Sequence, residues 1–178
     1  MTIKICVGLN TVNIATVVMP FTVKDGEIYY PKIVTEVTNV FGLRSHHTLE
    51  KFLKNKEQLF QGETLVVPLG RSEKKLFGRK PAYHQIMYFL DLGQGCIETL
   101  IVDIIQKAAL YDIDNFALPM NRCDPPFNQD EKKVAGLMIQ ELPRFDPIFE
   151  IFIALDESKT QALQFFTDQD CTIEIPKL

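Results

Sequence analysis

The chain has 178 residues, a formal net charge of -4, and 46% hydrophobic against 24% charged residues. That balance suits a soluble globular protein and argues against a general nucleic-acid binder, whose charge is basic. No apolar run reaches the roughly 18 residues of a membrane span, and residues 1–7 (MTIKICV) are too short and strand-like for a secretory signal. Cys6, Cys96, Cys123 and Cys171 lack CxxC or Cys/His spacing. Reduced thiols in a cytoplasmic setting are therefore expected, without a zinc site. Without repeats or a linker, residues 1–178 are expected to form one domain.

In chain order, residues 2–7 predict a first strand. Residues 14–23 form a second β-rich run containing Pro20, where the missing N–H predicts that the strand ends or bulges. Lys24-Asp25-Gly26 carries an Asp-Gly turn signal, so residues 27–30 predict the returning arm of a hairpin. Residues 31–45 show no clear pattern. Leu49, Phe52, Leu53 and Leu59 then mark a helix from Ser45 or Thr48 to Leu59. After Gly62-Glu63 comes the strand TLVVPLG. The next stretch, 70–80, sets Arg71, Lys74, Lys75, Arg79 and Lys80 against the single acid Glu73. It predicts an exposed basic loop, either a solvated connection or a collector of phosphates. Residues 82–89 predict a further strand, with His84 as a hydrogen-bonded structural histidine.

The centre of the chain carries the strongest pattern. Ile97, Ile101, Ile104, Ile105 and Ala108 recur on one helical face, so residues 97–110 predict a helix packed on a sheet. Asn115-Phe116-Ala117-Leu118 is a short apolar run suited to a strand buried on both faces. Pro119 ends it, and a polar loop leads to an amphipathic helix at 130–142, stopped by Pro143. Such a loop lies at the carboxyl end of a central strand, where open α/β sheets gather ligands. Residues 149–155 predict a strand, 157–166 a helix with Asp156 as N-cap, and the tail from Cys171 an edge strand.

The order of these elements and several local phrases resemble a macro domain, the α/β/α module known for binding ADP-ribose. Gly62-Glu63 is similar to the family's "GEA" phrase, and PAYHQIMYF (81–89) to its "PAKYVIHTV" strand. FALP (116–119) resembles the "AFP" strand end, and FEIFIALDESKTQALQFF (149–166) the terminal strand, aspartate and helix. The match is better over residues 60–167 than over 2–59. It implies a three-layer α/β/α fold with a mixed central sheet.

At the ligand positions the resemblance is partial. Gly8-Leu9-Asn10-Thr11 stands where the family has "GDIT", with Leu9 replacing the carboxylate that contacts adenine. Met19-Pro20-Phe21-Thr22 replaces "NAAN", and the first glycine-rich loop is reduced to Gly42. The second phosphate loop, "S-x-G-x-[FY]-G" in the family, reads Met120 to Phe127 without glycine. Glycine-free amides cradle phosphate poorly, and Pro125-Pro126 removes two donors. Arg122 could replace them by its guanidinium fork, or could lock to Asp124. Phe127 could stack on a ribose or base. The resemblance thus nominates Gly8, Asn10, Thr22, Gly42, Pro119, Asn121, Arg122 and Phe127 as ligand contacts.

Other features are weaker. His46-His47 beside Arg44 and Ser45 reads as an exposed polar helix cap, with phosphate or acid/base work as the alternative. Cys123 beside Arg122 is the best candidate for a reactive thiol. No Walker-type loop, GxSxG elbow, HExxH or GxGxxG occurs, so no catalytic residue, metal or resident cofactor is assigned. Three functions remain open: a binding or regulatory module for ADP-ribose or another nucleotide-like anion, an ADP-ribosyl hydrolase of the same fold, and a protein-interaction domain with a closed cleft. An open basic pocket would favour the first two, and side-chain filling the third.

Overall fold

A computed structural model describes residues 3–9, 14–33, 45–68, 84–145 and 148–174. The basic stretch 70–80, Asn10, Gly42 and Arg44 lie outside them. The described strands are β1 (Lys4–Val7), β2 (Thr16–Lys24), β3 (Glu27–Tyr29), β4 (Thr64–Pro68), β5 (Gln85–Leu90), β6 (Asn115–Pro119), β7 (Glu150–Leu155) and β8 (Thr172–Glu174). They form one mixed sheet in the order β4-β5-β2-β6-β7-β1-β8, with β3 paired to β2. β3 and β4 run antiparallel to their partners, and the other pairings are parallel.

Alternation along the central strands separates two cores, because successive side chains leave opposite faces of a strand. Phe116 and Leu118 of β6, Ile153 and Leu155 of β7 and Met87 and Phe89 of β5 share one buried cluster. Against them pack α2 (Ile97–Leu110), α3 (Glu131–Glu141) and α4 (Thr160–Asp168). Ala117, Phe152, Ala154, Ile86 and Tyr88 belong to the other cluster, covered by α1 (residues 45–54) through Leu49, Phe52 and Leu53. The arrangement is a sheet between two helical layers, as the resemblance implies.

α2 and β6 fall where the sequence predicts them, and β6 is buried at mid-sheet between β2 and β7. Asp130 caps α3 by accepting from the Lys133 amide at 2.8 Å. Pro143 does end α3, but the chain tightens into a 3-10 turn, Leu142–Phe145, rather than leaving it. The Asp25-Gly26 turn is formed, with φ of 52° and 78° as a primed hairpin turn requires.

Three expectations are corrected. β2 runs through Pro20 without ending. The carbonyls of Ala15 and Phe21 accept from the β5 side, at His84 and Asp91. Odd-numbered residues of β2 therefore bond toward β5, and Pro20 faces the opposite edge. There β6 pairs only with Thr16 and Val17, so the missing N–H removes no ladder bond. The first helix ends at residue 54 rather than 59, at the polar run Asn55-Lys56-Glu57-Gln58. α4 starts at Thr160, because Asp156 instead caps a turn, its Oδ1 accepting from the Ser158 amide at 2.9 Å.

Phe116 is fully buried and meets Phe149 edge-on with centroids 6.3 Å apart. Phe116→Ala is expected to destabilise the fold by about 3–5 kcal/mol. Urea unfolding should show the midpoint fall with the slope unchanged.

Candidate functional site

The cleft forms where β2 and β6 part. Beyond Val17 the two strands no longer pair, while β2 continues to Lys24. A crevice outside the carboxyl ends of parallel strands is where this class of sheet holds ligands. Its walls are Pro20, Phe21 and Thr22 of β2, the hairpin residues Tyr29, Tyr30 and Pro31, Asp91 after β5, and the loop from Met120 to Phe127. Its empty space is about 340 Å3 counted to the open mouth, within which the centres of water-sized molecules can occupy about 30 Å3. The cleft as it stands therefore admits a water or two.

Arg122 is the best-anchored side chain here. Its Nε donates to Asp91 Oδ2 at 2.9 Å, and Nη2 to Asp91 Oδ1 at 2.8 Å. Nη2 also donates to the Gln94 carbonyl at 2.9 Å, and Nη1 to the Gly95 carbonyl at 2.8 Å. The side chains of Arg122 and Asp91 are 4% and 3% exposed. The Arg122 backbone lies in the left-handed region at φ 57°. Phe127 covers the guanidinium at 5.4 Å, and a Cβ on Gly93 would meet the Phe127 ring at 2.9 Å. The loop is thus packed too closely for any residue but glycine at 93.

The lock that the sequence suggested between Arg122 and Asp124 is therefore made with a different acid. Asp124 instead accepts from Lys159 Nζ at 2.5 Å and from the Lys32 amide at 2.7 Å. Burial opposes the Lys159 charge, but the hydrogen bonds it donates to Asp124 and Asp156 outweigh it and raise the amine above its ordinary value. Burial also opposes the charge on Asp156, yet hydrogen bonds from Ser158 and Lys159 leave its carboxyl below the usual range. Burial pushes the Cys123 thiol up to about 12, against the pull of Lys159, the opposite of the activation that its place beside Arg122 suggested.

At the cleft's rim, Tyr30 Oη lies 2.6 Å from His46 Nδ1, and His46 Nε2 lies 3.3 Å from Glu50 Oε1. His47 reaches the other Glu50 oxygen at 3.2 Å. Burial, with Tyr88 and Glu50 adding to it, raises the Tyr30 hydroxyl well above its ordinary value. The hydrogen bond from His47, chiefly, lowers the Glu50 carboxyl. His46 is thus a link between α1 and the cleft, while His47 is the exposed partner.

Of the nominated contacts, Thr22, Asn121, Arg122 and Phe127 line the cleft. Pro119 is the buried last residue of β6, in register with Ala154. Gly8 closes β1 at φ 80°, its amide donating to Leu155, and does not border the cleft. Asn121 is 1% exposed, and neither carboxamide atom has a hydrogen-bond partner among the described residues. Sequence reasoning missed Asp91 and the pair Tyr29-Tyr30. Both carried a signal: Asp91 follows an apolar strand at its ligand end, and the Asp25-Gly26 hairpin returns Tyr29 against Thr22.

By sequence the chain matches no protein-family model and no curated protein. By structure it aligns with a mutant macrodomain of Oceanobacillus iheyensis over 92% of each chain, at TM-score 0.59 and 12% identity. It aligns with the macrodomain of Mycobacterium tuberculosis DarG over 85% of this chain and 97% of that one, at 0.56 and 14%. This is the macrodomain fold. Thermosipho africanus DarTG, in complex with ADP-ribose, aligns over 89% of this chain at 0.60 and 14%. The present chain covers 44% of that longer protein. Identities this low carry the macrodomain fold and nothing of the site.

Two measurements check the geometry. Arg122→Ala and Asp91→Ala are each expected to cost about 3–5 kcal/mol, since each strands a buried charge, with the double variant little worse than one alone. Asp124→Ala should couple to Lys159→Met in a double-mutant cycle and not to Arg122→Ala. The Lys159 cluster also predicts a pH profile. A raised lysine adds stability that is complete below its unfolded pKa of about 10.4 and is lost as pH rises through the folded value. The depressed Asp156 adds stability present above about pH 3.9 and lost as pH falls through its folded value. Lys159→Met should shrink the alkaline limb in denaturation measured across pH, leaving the share due to the raised Tyr30, Tyr88 and Cys123 groups.

Proposed function

We propose that the protein is a binding module of the macrodomain fold. Its ligand, ADP-ribose or a related nucleotide, sits in the cleft between β2 and the loop after β6. Asn121 carries this reading: a buried carboxamide without partners among the described residues, bordering an open crevice at the carboxyl ends of parallel strands. The complex of Thermosipho africanus DarTG with ADP-ribose supports the ligand class.

The ligand loops are reduced from the family's pattern in this reading. Leu9, at the position of the adenine-contacting carboxylate, is fully buried in the core with Ile14 and Leu49. Arg122 is committed to Asp91, so it is not a free phosphate receptor. The protein-interaction reading draws on the same observation, because a cleft whose described charges are all paired internally has less to offer an anion. The hydrolase reading has no such support.

The deciding experiment is titration calorimetry and thermal melting with ADP-ribose and ADP. Ligand at about 100 times its Kd adds about 2.7 kcal/mol, which for a chain of this size raises Tm by roughly 5–10 °C. Saturable binding with that shift is expected. No heat and no shift at millimolar ligand would leave the protein-interaction reading in its place.

A further inference from the structure

We infer that the cleft seats an uncharged heteroaromatic ring bearing an amide-like edge, of the kind found in purines and pyridine carboxamides, and that Asn121 reads that edge. The inference rests on the ligand-binding reading above and specifies which part of the ligand enters the described cleft.

Asn121 is the second residue after β6, and both Nδ2 and Oδ1 are buried without partners. Bare polar groups are the exception in a folded interior, because their lost hydration is uncompensated. No described residue supplies the missing partner, and in this inference a ligand does, with an ordered water as the alternative. A carboxamide presents an acceptor beside a donor. That pair matches the adjacent donor and acceptor of a purine edge or a primary carboxamide. Phe21, Tyr29, Tyr30 and Phe127 line the same cleft, with Pro20 and Pro125. Flat apolar walls of this kind suit the face of a ring.

The charges of the cleft select a neutral group. Arg122 gives four donors to Asp91, Gln94 and Gly95. Asp124 is held by Lys159 and the Lys32 amide. A phosphate seated here would have to detach Arg122 from a buried pair and would face both carboxylates. A neutral ring disturbs neither. The carboxamide is covered in the free protein, so the ring reaches it as lining side chains shift.

The test is calorimetric titration of the wild type and Asn121→Leu with adenosine, nicotinamide, inorganic pyrophosphate and ADP-ribose, at low and high salt. Leucine removes both unpaired atoms at similar shape, so the variant should melt no lower than the wild type. Asn121→Ala, which cannot overpack, guards against a packing fault. At least one neutral ring is expected to bind the wild type with an affinity that changes less than twofold with salt. Which of the two binds identifies the ring. Both variants should weaken it tenfold or more, and pyrophosphate should not displace it. Binding of ADP-ribose without either ring would overturn this inference and leave the proposed function standing. Ring binding that survives in both variants would also overturn it, leaving an ordered water as the only partner of Asn121. If neither the rings nor ADP-ribose bind, both readings fall.

Discussion

A buried guanidinium organises the ligand end of this sheet. Taking Arg122 and Asp91 out of water is costly for each alone, and the pair is tolerable only because nearly every hydrogen-bonding position is filled. Four of the five guanidinium donors are used. Asp91 Oδ1 also accepts from the Gly93 amide and from Gln61, which accepts in turn from the Leu92 amide. One ion pair therefore fixes the exits of β5 and β6, the turn before β4 and the loop into α2. The inward side chain goes with a left-handed backbone at Arg122, and Phe127 covers the guanidinium in space that only a glycine at 93 leaves open.

The same economy of charge governs the rest of the cleft. Asp124 ties the loop after β6 to Lys159 ahead of α4, and its other oxygen takes the Lys32 amide beyond the hairpin. Tyr30 ties that hairpin to α1 through His46. Opposite walls are thus joined by side chains whose charges are neutralised internally. Among the described lining residues, what stays unpaired is the Asn121 carboxamide, with Phe21, Tyr29, Tyr30 and Phe127 around the same cleft.

What could be read beforehand divides along physical lines. α2 and β6 are legible because burial imposes a period on their side chains, and Ile97 to Ala108 keep it without interruption. The two-faced sheet is legible for the same reason. Pro20 misleads because its effect depends on which edge of β2 it faces, a fact set by pairing with β5 and β6 far along the chain. Asp156 misleads because an aspartate caps a turn as readily as a helix. The site is harder still. Arg122 can be found as the loop's lone cation, yet its partner Asp91 lies 31 positions away, and proximity in sequence points to Asp124. Asn121 is nominated by place alone, since the absence of a partner shows only when the surrounding side chains are in position.

Low identity with other macrodomain folds follows from the same division. A core position on β5 or β7 asks only for an apolar side chain of suitable volume, so Val, Ile, Leu, Met and Phe exchange there with modest cost. A ligand position asks instead for a particular atom, which volume alone does not supply. Leu9, just beyond β1, meets the first kind of demand, fully buried in an apolar layer with Ile14 and Leu49. Pro20 stands at the edge of β2 that faces the crevice. It removes a backbone donor where no ladder needs one, so the described crevice wall there offers a ring surface in place of an amide.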